Sequence, residues 1–224
     1  KLNKGKLFMD KPKLYNYFRS STSVRIRVAL NIKGIEYEYI PLHLRKNEHK
    51  SEEYLKINPF GLVPVLKFPS GIQLFQSLAI LEYLEEIYPN PSIMPINSIH
   101  KAKVRALAYS IALEIHPLNN LQTLNYLRSN FSAEDSNVKD WFSNWVHKVF
   151  LPLEKILNQD KDSGLYCFGD IPTIADICLF SQVVNNARFD IDMTSYPRIN
   201  SIYKQCLSEE NFVKALPKNQ PDAE

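Results

Sequence analysis

The sequence predicts two folding units of different class, an α/β domain over residues 12–90 followed by an all-helical domain over residues 96–224. Three observations carry this. Between Lys13 and about Tyr88, short runs with strand character alternate with helical ones. Tyr88-Pro89-Asn90-Pro91-Ser92-Ile93-Met94-Pro95 then packs its prolines too densely for any helix to pass through. Beyond that stretch the apolar residues recur with helical period alone.

Lys13 to Phe18 reads as a first strand, and Val24 to Lys33 as a first helix with Val24, Val28 and Ile32 on one face, stopped by Gly34. Glu36 to Pro41 alternates as a second strand. A polar loop, His43 to Lys50, leads to a short helix that opens at Ser51-Glu52-Glu53 and closes at Asn58-Pro59. One β-α-β unit implies a parallel strand pair. Val63 to Phe68, the turn Pro69-Ser70-Gly71 and Ile72 to Phe75 then read as an antiparallel hairpin, with Pro64 removing one ladder donor at the strand's entry. Gln76 to Leu84 opens the third helix.

In the second domain, Ser98 to about Ile115 reads as one helix, Pro117 to Leu127 continues it after a kink, and Asp135 to Leu157 is a long helix that Pro152 should bend. Thr173 and Asp176, three residues apart, form a capping box for a helix running to about Asn186, which is a folding signal with no catalytic content. Tyr196 to Leu207 and Glu209 to Leu216 complete the bundle.

Composition bounds the function. With 45% hydrophobic and 23% charged residues the chain is an ordinary globular protein. A net charge of +3 without clustered basic and aromatic runs argues against nucleic acid as a partner, while suiting a small acidic substrate. No run of about 18 apolar residues is present, so no membrane span is expected. The basic stretch Lys1 to Lys11 contains only Leu7-Phe8-Met9 as an apolar run, too short for a secretory signal, and Met9 stands where a natural start could fall. Three widely spaced cysteines, Cys167, Cys178 and Cys206, argue against a disulfide framework or a zinc site and for a reducing, cytoplasmic setting; no metal is expected.

The chemistry concentrates where the first strand hands over to the first helix. Ser20-Ser21-Thr22-Ser23 puts four hydroxyls at a helix start, where one would suffice as a cap. Spare hydroxyls and amides at a positive helix end suit an anion, and a thiolate is one. Arg25, a cation in the first turn, opposes the dipole and calls for a compensating anion. An ordinary capping loop with a solvated Arg25 is the alternative. Gln76-Ser77 places hydrogen-bonding side chains at a second helix start, suited to a carboxylate, with a plain cap and a surface amide as the alternative.

Ser20-Ser21-Thr22-Ser23-Val24-Arg25-Ile26-Arg27-Val28-Ala29-Leu30 closely resembles the signature of zeta-class glutathione transferases, the maleylacetoacetate isomerase family, whose usual form has cysteine where this chain has Thr22. Gln76-Ser77-Leu78-Ala79-Ile80, the Thr173/Asp176 capping motif and Gln220-Pro221-Asp222 extend the resemblance over nearly the whole chain. It implies a glutathione-transferase fold: a thioredoxin-like βαβαββα domain, with Pro64 cis, and a C-terminal helical bundle. It also implies glutathione as cofactor, a small acidic electrophile as substrate, and a homodimer.

Carried over residue by residue, the resemblance makes Ser20 the partner of the glutathione sulfur, with Ser21 and Thr22 beside it as catalytic residues and Ser23, Val24 and Arg25 lining the same turn. Val63 would pair through its backbone with the tripeptide, and Gln76 and Ser77 would hold the γ-glutamyl carboxylate. His49 and His116 stand where the family usually has Gln, both able to titrate near neutral pH; plain surface exposure is their alternative. Asn120, Leu121 and Gln122 fall on a segment beside the site, and Arg188, with Arg25, would meet a substrate carboxylate, a surface ion pair being the alternative for Arg188. The implied reaction converts maleylacetoacetate to fumarylacetoacetate in tyrosine and phenylalanine breakdown, with some transferase activity. Rival readings are a maleylpyruvate isomerase, a general transferase or dehalogenase, and a non-catalytic glutathione-transferase-like binding module.

Overall fold

A computed structural model describes residues 11–224. The readings of the N-terminal stretch and of Met9 as a start fall on residues outside these. The chain divides into two compact units, one made of residues up to Ser92 together with Glu210–Glu224, the other of Ile93–Glu209. Residues 210–224, expected with the helical bundle, thus pack with the first unit. The cause is a set of tertiary hydrogen bonds, described below, that helical periodicity does not encode.

The first unit is built on a four-stranded sheet in the order β2-β1-β3-β4. Strand β1 (Lys13–Asn16) pairs in parallel with β2 (Glu38–Pro41), Lys13 opposite Glu38. On its other side β1 runs antiparallel to β3 (Val65–Lys67), which makes the hairpin with β4 (Gln73–Phe75). Leu14 and Leu66 face each other in that register and are wholly buried, so the sheet centre is apolar as its pattern requires. Helix α1 (Ser21–Ile32) packs on α3 (Ser77–Ile87), and α2 (Glu52–Ile57) follows two short 3-10 turns in the loop after β2. The Val63–Pro64 peptide bond is cis, as the thioredoxin-like resemblance implies, and so is Asn90–Pro91.

Helix α1 starts three residues earlier than its apolar pattern predicts because Ser20, not a later residue, caps it, its side chain accepting from Ser23 N. Every residue from Ser21 to Leu30 is buried, including Arg25 and Arg27, so the single stripe of Val24, Val28 and Ile32 undercounts the buried face. Arg27 is 0% exposed. Its guanidinium donates to Asn16 Oδ1 (2.8 Å), Phe18 O (2.8 Å), Tyr17 O (3.4 Å) and, from Nε and Nη2, to Ala215 O (3.1 Å each). Burial pushes its pKa down. Arg27 therefore fastens the exit of β1 and the C-terminal segment to one point on α1. The same segment is held by Asn31 Nδ2 on Asn211 O (2.8 Å), by Tyr39 hydroxyl on Asp222, and by His43 Nε2 on Glu224 Oε1, while Gln220 Nε2 braces it internally by donating to Lys214 O and Leu216 O.

The second unit contains α4 (Ser98–Glu114), α5 (His116–Asn119), α6 (Leu121–Phe131), α7 (Asp135–Gln159), α8 (Ile174–Asn186) and α9 (Pro197–Leu207); the short α10 (Glu210–Val213) belongs to the first unit and packs on α1. Helix α8 is the core of its unit, buried at nearly every position. Its capping box is present as read from the sequence: Asp176, wholly buried, accepts from Thr173 N (2.8 Å) and Thr173 Oγ1 (2.8 Å), and also from Cys167 N (2.7 Å). Among the described residues no helix is long and apolar enough to cross a membrane.

Candidate functional site

The first unit brings several of the sequence-predicted residues together. Ser20 is the N-cap of α1, in extended conformation (φ −71°, ψ 119°), half-buried, and its amide donates to Tyr17 O at 3.0 Å. Its Oγ takes the Ser23 amide at 3.2 Å and lies 2.8 Å from Thr22 Oγ1. Thr22 Oγ1 in turn donates to Val63 O at 3.1 Å, the carbonyl just before Pro64. A hydrogen-bonded path thus runs from the cap of α1 to the loop that enters β3.

That loop is held from its other side as well. Tyr54 hydroxyl (2.6 Å) and Asn58 Nδ2 (2.8 Å) both donate to Leu62 O. Sequence reading missed these two residues, and the only signal for them is Asn58 closing α2 beside a proline. The carbonyls of Leu62 and Val63 are both engaged, while the Val63 amide makes no hydrogen bond among the described residues.

Arg25 does not sit in solvent: it is 1% exposed, and its Nη1 donates to Ser77 Oγ at 3.1 Å. It ties the first turn of α1 to the first turn of α3. Gln76, which precedes α3, is an exposed non-glycine residue at φ 69°, ψ 111°, a conformation that costs energy and persists where the surroundings impose it. Its side chain makes no cap bond to α3.

The remaining predicted residues are placed differently. Ser23 is 0% exposed and its Oγ accepts from Tyr17 N at 3.4 Å, and Val24 is core, with its amide bonded to Ser20 O at 2.9 Å. Ser21 is also buried. These three shape the turn from within. His49 is half-buried on the loop after β2, its Nδ1 buried without a hydrogen-bond partner among the described residues. Burial, and then the neighbouring Lys50 charge, pushes its pKa down from the ordinary histidine value. His116, Asn120, Leu121, Gln122 and Arg188 belong to the helical unit. Asn120 caps α6, accepting from Thr123 N at 2.9 Å. Leu121 and Gln122 lie in the first turn of α6, and His116 opens α5. Arg188 is exposed and donates to Asn185 Oδ1 at 3.0 Å.

The donor set of the first unit fits a γ-glutamyl tripeptide thiol. It offers a hydroxyl at a positive helix end for the sulfur, a strand-entry amide for the peptide backbone, and a second helix start with Gln76 and Ser77 for a carboxylate.

Comparison with known proteins agrees with this geometry. Residues 11–86 match the family described as glutathione S-transferase, N-terminal domain, and residues 122–218 match glutathione S-transferase, C-terminal domain. The chain is 43% identical to a maleylpyruvate isomerase of Ralstonia sp, over 94% of this chain and 99% of that protein. It is 44% identical to a maleylacetoacetate isomerase of Dictyostelium discoideum, over 96% of this chain and 97% of that one. Among solved structures, a maleylacetoacetate isomerase of Methylobacterium extorquens AM1 with bound malonate and glutathione superposes with a TM-score of 0.92 at 34% identity, covering 95% of this chain and 99% of that one. A near-full-length match at this identity, on a fold whose first unit presents the Ser20 and Gln76 helix starts, is decisive: the chain belongs to the zeta-class glutathione transferase and maleylacetoacetate isomerase family.

Proposed function

We propose that this protein is a glutathione-dependent isomerase that converts maleylacetoacetate to fumarylacetoacetate, the cis-to-trans step of tyrosine and phenylalanine breakdown. The observation that carries the reading is the Ser20–Thr22–Val63 path at the start of α1, in a chain that shares near-full-length identity with proteins named for this reaction. Bound glutathione supplies a thiolate that adds to the cis double bond, allows rotation about the resulting single bond, and departs unchanged.

Ser20 Oγ–H donates to the sulfur and favours its anionic form, helped by the positive end of α1. The Val63 amide fixes the backbone of the tripeptide, and Gln76 and Ser77 fix its carboxylate, with buried Arg25 holding Ser77 in place. Arg188, on the helical unit, is assigned to a carboxylate of the dianionic substrate. His116, Asn120, Leu121 and Gln122 are assigned to the cofactor side on the resemblance alone.

The deciding experiment mixes the protein with glutathione and maleylacetone or maleylacetoacetate and follows loss of the cis isomer. Isomerisation that requires glutathione and leaves its concentration unchanged is expected. Consumption of glutathione would mark a transferase or dehalogenase, and the absence of turnover a binding module. A second reading, maleylpyruvate as substrate, is favoured by the Ralstonia relative; kcat/KM for the two substrates, measured side by side, separates them.

The same reading takes the protein to be a cytoplasmic homodimer. Three free cysteines, all buried, support a reducing compartment. Phe60 (66% exposed) and Phe75 (46%), their rings 5.5 Å apart, form an exposed apolar pair on the first unit, which supports a partner surface there. Phe60→Glu is expected to shift the species seen by light scattering from dimer to monomer; an unchanged mass would remove this patch from the interface.

A further inference from the structure

The hydrogens of the Ser20 turn can be counted. A threonine hydroxyl has one hydrogen and two lone pairs, whereas a carbonyl oxygen only accepts. With Thr22 Oγ1 3.1 Å from Val63 O, the Thr22 hydrogen is committed to that carbonyl. Toward Ser20, 2.8 Å away, Thr22 Oγ1 is therefore the acceptor, and the Ser20 hydrogen points at it. The Ser23 amide, 3.2 Å from Ser20 Oγ, occupies a Ser20 lone pair and has no bearing on where that hydrogen goes.

We propose that Thr22 is a positioning residue which gives no hydrogen bond to the sulfur: it holds the Val63 carbonyl, and so the backbone on the far side of the Val63 amide, whose own peptide plane Tyr54 and Asn58 fix through Leu62 O, and it parks the Ser20 hydrogen until a thiolate takes it. This rests on the glutathione reading above. In the unliganded turn the chain of donation is Ser20 to Thr22 to Val63. When a thiolate arrives, the Ser20 hydrogen swings from Thr22 to sulfur, one hydrogen bond replacing another, while the Thr22 bond to Val63 stays. A methyl or methylene in place of the Thr22 hydroxyl would leave the Ser20 donor intact and unclamp Val63. The consequence is a division of labour: Ser20 sets the acidity of the thiol, and Thr22 sets how firmly the peptide backbone is gripped.

Two ligands read the two sides separately. Glutathione reports the sulfur side through the pH titration of its bound thiol, followed by thiolate absorbance. S-methylglutathione cannot form a thiolate and reports the backbone side through its dissociation constant by calorimetry. Thr22→Val, shape-matched but without a hydroxyl, is expected to weaken S-methylglutathione by about threefold to tenfold, the net worth of one hydrogen bond. The bound-thiol pKa in that variant is expected to stay at or below the wild-type value, and Thr22→Ser to restore the affinity. Ser20→Ala should give the opposite pattern, with the thiol titrating near its free value. Thr22→Ala asks the same question with a smaller side chain should the valine not be accommodated in a folded protein. A bound-thiol pKa raised in Thr22→Val or Thr22→Ala as far as in Ser20→Ala would make Thr22 a sulfur donor and overturn the proposal. Unchanged S-methylglutathione affinity in both variants would do so too, by showing the clamp idle. Wild-type protein that binds neither ligand would instead defeat the glutathione reading itself.

Discussion

Ser20→Ala is expected to lower glutathione-dependent isomerisation by about 10²–10³-fold, the usual effect of removing a preorganised donor from a developing or resident anion. The residue has two jobs that the variant separates by measurement. As N-cap of α1 it accepts the Ser23 amide, and losing that bond costs about 1 kcal/mol of stability, visible as a melting temperature lower by a few degrees. As donor to the sulfur it affects turnover far beyond what such a loss of stability would cause. The pH dependence gives the sign. A hydroxyl that favours the thiolate holds the thiol pKa below the ordinary value of about 8.5, so removing it raises that pKa and leaves less thiolate at neutral pH. The ascending limb of the activity profile in Ser20→Ala therefore moves to more alkaline pH. Thr22→Ala, by contrast, should lose less than about tenfold, in line with one neutral hydrogen bond. Equal and negligible losses in the two variants would sink the assignment of the sulfur to Ser20.

What the sequence made legible here, and what it hid, divides along local and tertiary lines. The order of strands and helices, the hairpin and the Thr173/Asp176 box are short-range signals, and each appears in the structure, with α1 starting earlier than its apolar spacing implies. Ser20 was legible for the same reason, since four hydroxyls ahead of an apolar helical run are a local excess. Arg25 stands out in the sequence as a first-turn cation wanting an anion, but the burial of Arg25 and Arg27 was not legible. Arg25 meets Ser77, 52 residues away, and Arg27 meets Ala215, 188 residues away, as well as the nearby end of β1. No local pattern carries that information. The same holds for residues 210–224, whose short helix reads as the end of the bundle but is drawn to the first unit by Arg27, Tyr39 and His43. Of the site, the two helix starts could be read from composition at their first turns, whereas the bond from Thr22 to Val63 that joins one of them to the strand entry could not.

Arg27→Met is expected to be the most destabilising single change in the first unit, by about 3–5 kcal/mol, because it deletes a buried charge's entire donor set and strands its acceptors. Asn16 Oδ1, Tyr17 O, Phe18 O and Ala215 O all accept from this one guanidinium, and the site is wholly shielded from water that might replace it. Methionine keeps the stem's volume, so the loss measures hydrogen bonding more than packing. For a chain of this size the change corresponds to a melting temperature lower by roughly 10 °C. Lysine should rescue little, since a single ammonium cannot reach oxygens spread around a planar fork. The effect should also reach the site: Tyr17 O, one of Arg27's acceptors, also receives the Ser20 amide at 3.0 Å, so loosening the end of β1 loosens the turn that aims the Ser20 hydroxyl. Limited proteolysis should then cut within residues 214–224 faster than in wild type, because Ala215 O is where Arg27 anchors that segment. A melting temperature within about 2 °C of wild type would show that these acceptors find other donors, and that the turn before Ser20 is held by the sheet and helix alone.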